Sequence, residues 1–355
     1  MAGGDLISGR RRSTGRPTLD EVAALAGVGR GTASRVVNGS PQVSAEARAA
    51  VHRAIETLGY VPNRAARALV TRRADSVALV VSESQERVFG EPFFAGIVRG
   101  ISAALAETSM QLWLAMAQSP SERSRVEHSL VTQHVDGVML LSLHDEDLLP
   151  GILVGRGVPV VLGGRTARML GPDGVAGVCF VDVDNSGGAR AAVEFLLGRG
   201  RRVVGVVAGP QDMGVGVARL TGYRQALAGA GLGFCDELVA FGDFSEASGV
   251  AAMRRLLAVR PDVDAVFVSS DLMAAGAVRA LRECGRRVPE DVAVVGFEDS
   301  AVAAQTDPPL TTVHQSVEAM GRQMARLRLA GTGGEDAPSE VLEKSLLVRE
   351  SKQEE

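Results

Sequence analysis

The chain has 355 residues, 46% of them hydrophobic, which is enough to bury the cores of two or three domains. It contains no apolar run of the roughly 18 residues that a membrane span requires, and its Arg-rich beginning, residues 1–16, lacks the apolar stretch of a signal peptide, so we expect a cytoplasmic protein. The net charge of −4 combines about +7 over residues 1–73 with about −11 over the remainder, and a basic end on an acidic body indicates that nucleic acid binds at one end only.

The three cysteines, Cys179, Cys235 and Cys284, are odd in number and scattered along the chain. This usage is typical of a reducing compartment and argues against a disulfide framework. No Cys or His cluster has the spacing of metal ligands, so the sequence predicts neither a metal site nor a cofactor.

The first 62 residues predict a basic tail followed by three short helices. Residues 1–16 are rich in Gly, Ser and Arg and have almost nothing to bury, so we expect them to be disordered. In residues 17–62, Thr18 and Glu21 form a capping box at the start of the first helix, and Gly27 allows a tight turn before the second. A helix, a glycine turn and a second helix, braced by a third, predict a helix-turn-helix.

The second of these helices, residues 30–37, carries polar side chains that we expect to face outward: Arg30, Thr32, Ser34 and Arg35. Such short or bidentate hydrogen-bonding groups suit a helix that enters the major groove of DNA. The alternative is an ordinary three-helix bundle with an arginine-decorated surface. The local positive charge favours DNA binding.

From residue 76 onward, short β-branched runs alternate with amphipathic helical stretches. The predicted strands are 77–81, 112–115, 138–141, 158–162, 178–181, 203–207, 265–268 and 292–295. The clearest predicted helices are 94–107, 188–197, 221–230, 247–258 and 273–283. This alternation predicts an α/β fold of parallel sheets with helices on both faces. The segment is too long for one sheet, so we expect two similar lobes with a ligand cleft between them, at the carboxyl ends of the strands.

Several ordered motifs occur along both parts of the chain. The N-terminal part contains PTLDEVA at 17–23, AGV at 26–28, TASRVVNG at 32–39 and GYVPNRAARAL at 59–69. The larger part contains GVVAGP at 205–210, RLTGY at 219–223, VVGF at 294–297 and PLTTV at 309–313. In these motifs and their spacing, residues 17–350 resemble the lactose and galactose repressor (LacI–GalR) family of bacterial regulators.

The resemblance implies a domain plan: a helix-turn-helix headpiece at 17–62, a hinge helix and linker at 63–75, and an effector-binding and dimerisation domain at 76–355. The last of these is expected to be a two-lobed core like that of periplasmic sugar-binding proteins. Its first lobe should comprise about 76–177 and 315–340, and its second lobe about 178–314 and 341–350.

The resemblance also implies which residues contact DNA. Arg30, Gly31 and Arg35 occupy base-reading positions, and Thr18, Thr32, Ser34 and Asn38 occupy backbone-contacting positions. In the hinge the implied residues are Asn63, Arg64, Ala66 and Leu69, with Leu69 where the family inserts a leucine into the minor groove and bends the duplex. Two positions depart from the pattern: Gly29 replaces a capping serine, and Gly31 leaves Arg30 and Arg35 to carry more of the base reading.

For the effector, the resemblance and the predicted strand ends together indicate seven residues: Phe93, Phe94, Arg165, Arg219, Asp271, Glu298 and Gln315. Carboxylates and a bidentate arginine suit the paired hydroxyls of a sugar, and an aromatic ring can stack on its apolar face. Other interpretations remain open. Arg219 could pair with a surface acid, Asp271 and Glu298 could cap helices, and the phenylalanines could belong to the core. Gly163 and Gly164 stand where some relatives place an acidic ligand residue.

We therefore predict a sequence-specific transcriptional regulator, a homodimeric repressor that a small sugar releases from a near-palindromic operator. A purine- or nucleobase-responsive, co-repressed regulator of the same fold is the nearest alternative. An enzyme is disfavoured because no complete dinucleotide fingerprint, phosphate loop, nucleophile elbow or metal set is present. A secreted sugar-binding protein would lack the helix-turn-helix.

Overall fold

The computed structural model of the chain describes residues 17–62, 74–132, 135–170, 178–331 and 339–349. They belong to two compact units, Met1–Ala74 and Asp75–Glu355. The expected disordered tail, 1–16, lies outside the described residues, as does nearly all of the expected hinge segment. Within the described ranges, no helix is long and apolar enough to cross a membrane.

The smaller unit contains three helices in its described part: α1 (Leu19–Ala26), α2 (Arg30–Val37) and α3 (Ala45–Leu58). The capping box of α1 is present, because the Thr18 hydroxyl accepts from the Glu21 amide while the Glu21 carboxylate accepts from the Thr18 amide. Gly27, at φ +67°, makes the turn into α2. The three helices share a small apolar core centred on Val22, Ala33 and Val51. The predicted helix-turn-helix is confirmed.

The described part of the larger unit contains two six-stranded sheets. The strands of the first are β1 (Ser76–Val81), β2 (Gln111–Met116), β3 (Gly137–Leu141), β4 (Val160–Gly163), β5 (Cys179–Val183) and β11 (Glu340–Leu342). The second contains β6 (Val204–Ala208), β7 (Val239–Phe241), β8 (Ala265–Val268), β9 (Ala293–Glu298), β10 (Thr311–His314) and β12 (Ser345–Leu347). Their orders are β11-β5-β4-β3-β1-β2 and β12-β10-β9-β8-β6-β7. All pairings are parallel except that of β10 with β12.

Helices cover both faces of each sheet, which confirms the predicted α/β architecture. In the first lobe they are α4 (Gln85–Gly90), α5 (Pro92–Leu105), α6 (Pro120–Thr132), α7 (Leu149–Gly155), α8 (Ala167–Leu170) and α14 (Val317–Leu329). In the second they are α9 (Asn185–Gly198), α10 (Gly214–Gly229), α11 (Glu246–Val259), α12 (Asp271–Glu283) and α13 (Ala301–Gln305). Each sheet therefore has one apolar core on either face.

The chain passes between the lobes at three crossovers. The first, at Asp184, joins β5 to α9; the second, at Gln315 and Ser316, joins β10 to α14; the third, at Glu343 and Lys344, joins β11 to β12. Helix α14 returns to the first lobe and packs on α5, where Gly100 and Gly321 each lie against the backbone of the opposite helix.

The expected start of the second lobe near residue 178 was wrong. Strand β5 pairs with β4, so it completes the first sheet before the chain crosses over. The C-terminal boundary also differs, because residues 340–342 pair with β5 in the first lobe and only 345–347 join the second. A short β-branched run has the same local pattern in either sheet. Which sheet it joins depends on pairing with a strand that is distant in sequence, and the local pattern does not report that pairing.

Candidate functional site

A cleft lies between the two lobes. Its walls come from the segments that follow the carboxyl ends of the strands, as the rule for ligand sites in open α/β sheets requires. Six of the seven predicted effector residues line it: Phe93, Phe94, Arg165, Arg219, Glu298 and Gln315. Phe94 is 3% exposed and also belongs to the apolar core, whereas Phe93 is only half-buried and packs edge-on against it.

Arg219, on α10, is the best-anchored of these side chains. It is 2% exposed. Its guanidinium donates to the Asn185 amide oxygen at 3.0 Å, to the Gln315 amide oxygen at 3.1 Å and to the Ser269 carbonyl. Burial lowers its pKa to about 10, so the group stays charged at neutral pH. The interpretation that it pairs with a surface acid is excluded.

Glu298, at the end of β9, lies 3.8 Å from the Arg219 guanidinium and keeps 20% of its side-chain surface exposed. Burial raises the pKa of Glu298 to about 8, although the charge of Arg219 acts in the opposite direction. Near neutral pH the carboxyl is therefore largely protonated, and it can both donate and accept hydrogen bonds. Its φ of 116° is a backbone conformation that side-chain-bearing residues rarely adopt, and such strain concentrates at functional sites.

Asp271 is the exception among the seven, because it does not line the cleft. Its side chain is fully buried, and its carboxylate accepts hydrogen bonds from the Ser300 amide at 2.7 Å and from the Thr312 hydroxyl at 2.6 Å. It does not cap α12 either, because Ser270 caps that helix. Asp271 instead ties the start of α12 to the loop that follows β9.

Asn185 and Asp182 are cleft residues that the sequence did not single out. Asp182 is 5% exposed and pairs with Arg165 at 2.7 Å. The Asn185 amide donates to Asp182 at 3.1 Å and accepts from Arg219, so it joins the polar groups of the two lobes. The available signal was the polar run DVDN at 182–185, directly after a predicted strand.

A second group that the sequence did not single out lies where α4 faces the second lobe. Arg87 pairs with Glu83 and Glu91, each at 2.6 Å, and its guanidinium lies 5.6 Å from the centre of the Phe244 ring. Arg87, Glu91 and Phe244 all line the cleft. Phe244 comes from the second lobe, so this cation–π contact crosses between the lobes.

A histidine and an aspartate form another contact between the lobes. His144, after β3, approaches Asp212, after β6, with Nδ1 and Oδ2 2.7 Å apart. Glu83, 3.7 Å from Nε2, and Asp212 together raise the pKa of His144 to about 9 against the effect of burial. The histidine is therefore charged at neutral pH, and it holds the lobes together by an ion pair.

Helix α2 of the smaller unit presents the predicted DNA-reading residues in two groups. Arg30, Gly31 and Arg35 are exposed, whereas Thr32, Ser34 and Asn38 are half-buried, so the expectation that all polar residues face fully outward was too broad. The Asn38 amide donates to the Ser34 hydroxyl at 3.4 Å. Gly29 supplies no side-chain cap, as its sequence position predicted. Thr18 is exposed at the start of α1.

The remaining predicted DNA contacts, Asn63, Arg64, Ala66 and Leu69, lie outside the described residues. The predicted DNA contacts within the described residues therefore lie on α2 and at the start of α1, with Arg30 and Arg35 about 1.4 turns apart on α2 and no side chain at position 31. A guanidinium is the commonest side-chain partner of guanine in the major groove.

Two family models match the chain. Residues 18–63 match the model of bacterial regulatory proteins of the lacI family, and residues 193–352 match the periplasmic binding protein-like domain. The regulator CelR of Thermobifida fusca is 57% identical over 346 residues, covering 96% of this chain and 99% of CelR. The regulator GalR of Escherichia coli is 32% identical over 323 residues, covering 88% of each chain.

Solved structures agree with these matches. A CelR–cellobiose complex has a TM-score of 0.74 at 54% identity and covers 95% of this chain and 100% of the other. The lac repressor dimer bound to operator and the anti-inducer ONPF has a TM-score of 0.81 at 26% identity, with coverages of 95% and 99%.

Proposed function

The chain belongs to the LacI family of bacterial transcriptional regulators, and from this premise we propose that it is a repressor released from its operator by cellobiose. The members of the family are DNA-binding regulators rather than enzymes. The observation that carries the choice of effector is the full-length similarity to CelR, at 57% identity, together with the cellobiose complex of CelR.

The cleft supports a sugar effector of this kind. It lies between the two lobes and is lined by charged, amide and aromatic side chains. Arg219 offers fixed donors, and the Glu298 carboxyl can donate or accept, so the pair suits vicinal hydroxyls. Phe93 and Phe244 offer aromatic surface for the apolar face of a pyranose ring.

We assign DNA recognition to α2. Arg30 and Arg35 read base edges in the major groove, while Thr18, Thr32, Ser34 and Asn38 contact the backbone. A single headpiece reads too few base pairs for useful specificity, so the protein acts as a homodimer on a near-palindromic operator. A repressor of chromosomal genes acts where the DNA is, which makes the protein cytoplasmic.

Thermal unfolding of the full chain with a panel of compounds tests the effector. A ligand at about one hundred times its Kd stabilises the folded state by about 2.7 kcal/mol, so cellobiose should raise Tm clearly. Maltose is the control for linkage and glucose for ring number, and both should have much smaller effects. Stabilisation by hypoxanthine without any effect of cellobiose would replace the sugar effector with the purine-responsive alternative.

A further inference from the structure

A lysine stands at the third crossover, beside the anchored arginine of the cleft. Lys344 is one of only two lysines in the chain, the other being Lys352. Its Nζ lies 3.5 Å from the Asn185 amide oxygen, which also accepts from Arg219. The stem of Lys344 runs along the backbone of α9, since its Cδ is 3.0 Å from the position that a Cβ on Gly188 would occupy.

An aromatic ring contacts both Lys344 and Arg219. The Phe297 ring centre is 3.6 Å from Lys344 Nζ and 3.7 Å from Arg219 Cζ. A ring face attracts cations, and this attraction strengthens when water is excluded. The Lys344 amine and the Arg219 guanidinium therefore share one ring and one amide oxygen. Burial and the charge of Arg219 lower the pKa of Lys344 well below its usual value. The positions of the two side chains therefore depend on each other, because a movement of one changes the contacts of the other.

The residues around Arg219 come from all three crossovers between the lobes. Asn185 follows the first crossover, Gln315 forms part of the second, and Lys344 lies in the third. All three are hydrogen-bonded to Arg219 directly or through one shared oxygen. A change in the angle between the lobes must pass through these three segments, so it must also alter the partners of the cleft arginine.

We propose that Lys344 is a positioning residue for the effector site. It holds the Asn185 amide with its oxygen toward Arg219, and it thereby connects the cleft to the third crossover. This role rests on the proposed function, in that the ligand that reports it is cellobiose. Lys344 does not line the cleft, so it influences effector binding only through the positions of Asn185 and Arg219.

The test compares Lys344→Met, Lys344→Arg and the neighbouring exposed control Glu343→Gln in calorimetric titrations with cellobiose. Loss of the hydrogen bond that positions Asn185 should weaken cellobiose binding by up to about tenfold in Lys344→Met. Lys344→Arg should recover most of the loss, because it restores a donor to the Asn185 oxygen, and Glu343→Gln should bind as wild type does. Wild-type affinity in Lys344→Met would overturn the proposal.

Amine labelling adds a measurement that a merely structural role would not change. Mass spectrometry after brief acetylation compares Lys344 with Lys352 in the same molecule. Cellobiose should slow the labelling of Lys344 and leave that of Lys352 unchanged, and Asn185→Ala should accelerate labelling of Lys344 without effector. Equal behaviour of the two lysines would contradict the proposal.

The two proposals fail in different ways. If cellobiose does not bind the wild-type protein, the effector assignment is wrong, and urea unfolding of the effector-free chain then decides the role of Lys344. The effects of Lys344→Met and Asn185→Ala on the free energy of unfolding should be non-additive, because the two side chains share one contact. Additive effects would remove Lys344 from the positioning role whatever the effector is.

Discussion

At the scale of single residues, position at the cleft and the hydrogen bonds already made decide which polar groups can meet a ligand. The side chains of Arg219 and Asp271 are both almost fully buried, yet only Arg219 borders the cleft. The carboxylate of Asp271 is occupied by the Ser300 amide and the Thr312 hydroxyl. A buried carboxylate with two fixed donors holds a loop in place, whereas a partly exposed one such as Glu298 remains available to a ligand.

Asp271→Ala should therefore act on stability. It leaves a buried amide and hydroxyl without their acceptor, which costs about 2–4 kcal/mol of the free energy of unfolding. The affinity of the folded fraction for cellobiose should change little. Urea unfolding and calorimetric titration of the same preparation provide both numbers. A large loss of affinity at wild-type stability would return Asp271 to the cleft.

Arg35→Ala tests the assignment of base reading to α2. Removing a guanidinium that contacts a base edge should cost about 1–3 kcal/mol on the operator and much less on random duplex. Fluorescence anisotropy at fixed salt measures both affinities, with the operator obtained by selection from random duplexes. Arg53→Ala, on the exposed side of α3, is the matched control. Equal losses on the two DNAs would reassign Arg35 to phosphate contact.

At the scale of secondary-structure elements, the sequence predicted more of the framework than of its connections. The eight predicted strands all exist, because alternating apolar runs report local burial. Strands β7, β10, β11 and β12 were not predicted. Strands β7, β11 and β12 are only three residues long, and β10 contains Thr311, Thr312 and His314, so none of them has the longer apolar run that marked the other strands.

Several contacts that the sequence could not indicate join residues far apart along the chain. Lys344 meets Asn185 across 159 positions and His144 meets Asp212 across 68, and the predicted residues Arg219 and Gln315 meet across 96. The rule that ligands bind at the carboxyl ends of parallel strands located the cleft, because it needs only the order of strands and helices along the chain. It could not pair side chains across three crossovers, since that pairing is set by how the two sheets face each other.

The contact of His144 with Asp212 should make stability depend on pH. The folded-state pKa of His144 is raised from 6.5 to about 9, so the contribution of this contact is complete below pH 6.5 and is lost as pH rises through 9. Glu83, which also pairs with Arg87, shares the histidine, and Asp145 contacts Asp212 through the backbone. Solvent screens the exposed Asp212, so we expect about 1–2 kcal/mol in total.

Asp212→Asn is the variant that isolates this contact. It should flatten the dependence of the unfolding free energy between pH 6.5 and 9, and it should also favour opening of the cleft. Urea unfolding at a series of pH values measures the slope. Asp236→Asn, an exposed acid of the second lobe outside the cleft, is the control. An unchanged slope in Asp212→Asn would show that the contact with Asp212 does not contribute to the pH dependence of stability.

At the scale of the whole molecule, the proposed mechanism is a coupling between two ligands. Cellobiose bridges groups of both lobes, so it changes the angle between them, and the three crossovers carry that change. The DNA-binding unit joins the chain ahead of the first lobe only. Thermodynamic linkage requires that effector weaken operator binding by the same factor by which operator weakens effector binding, typically a coupling of about 1–3 kcal/mol.

The most direct test of this account is a titration of operator with the wild-type protein, with and without saturating cellobiose. The account predicts an operator affinity lower by about 5–150-fold in the presence of cellobiose, and an equal loss of cellobiose affinity when operator is saturating. Arg219→Met should bind operator normally and show no response to the sugar. Tighter operator binding with cellobiose would mean a co-repressor, and no change at all in the wild-type protein would contradict the central claim.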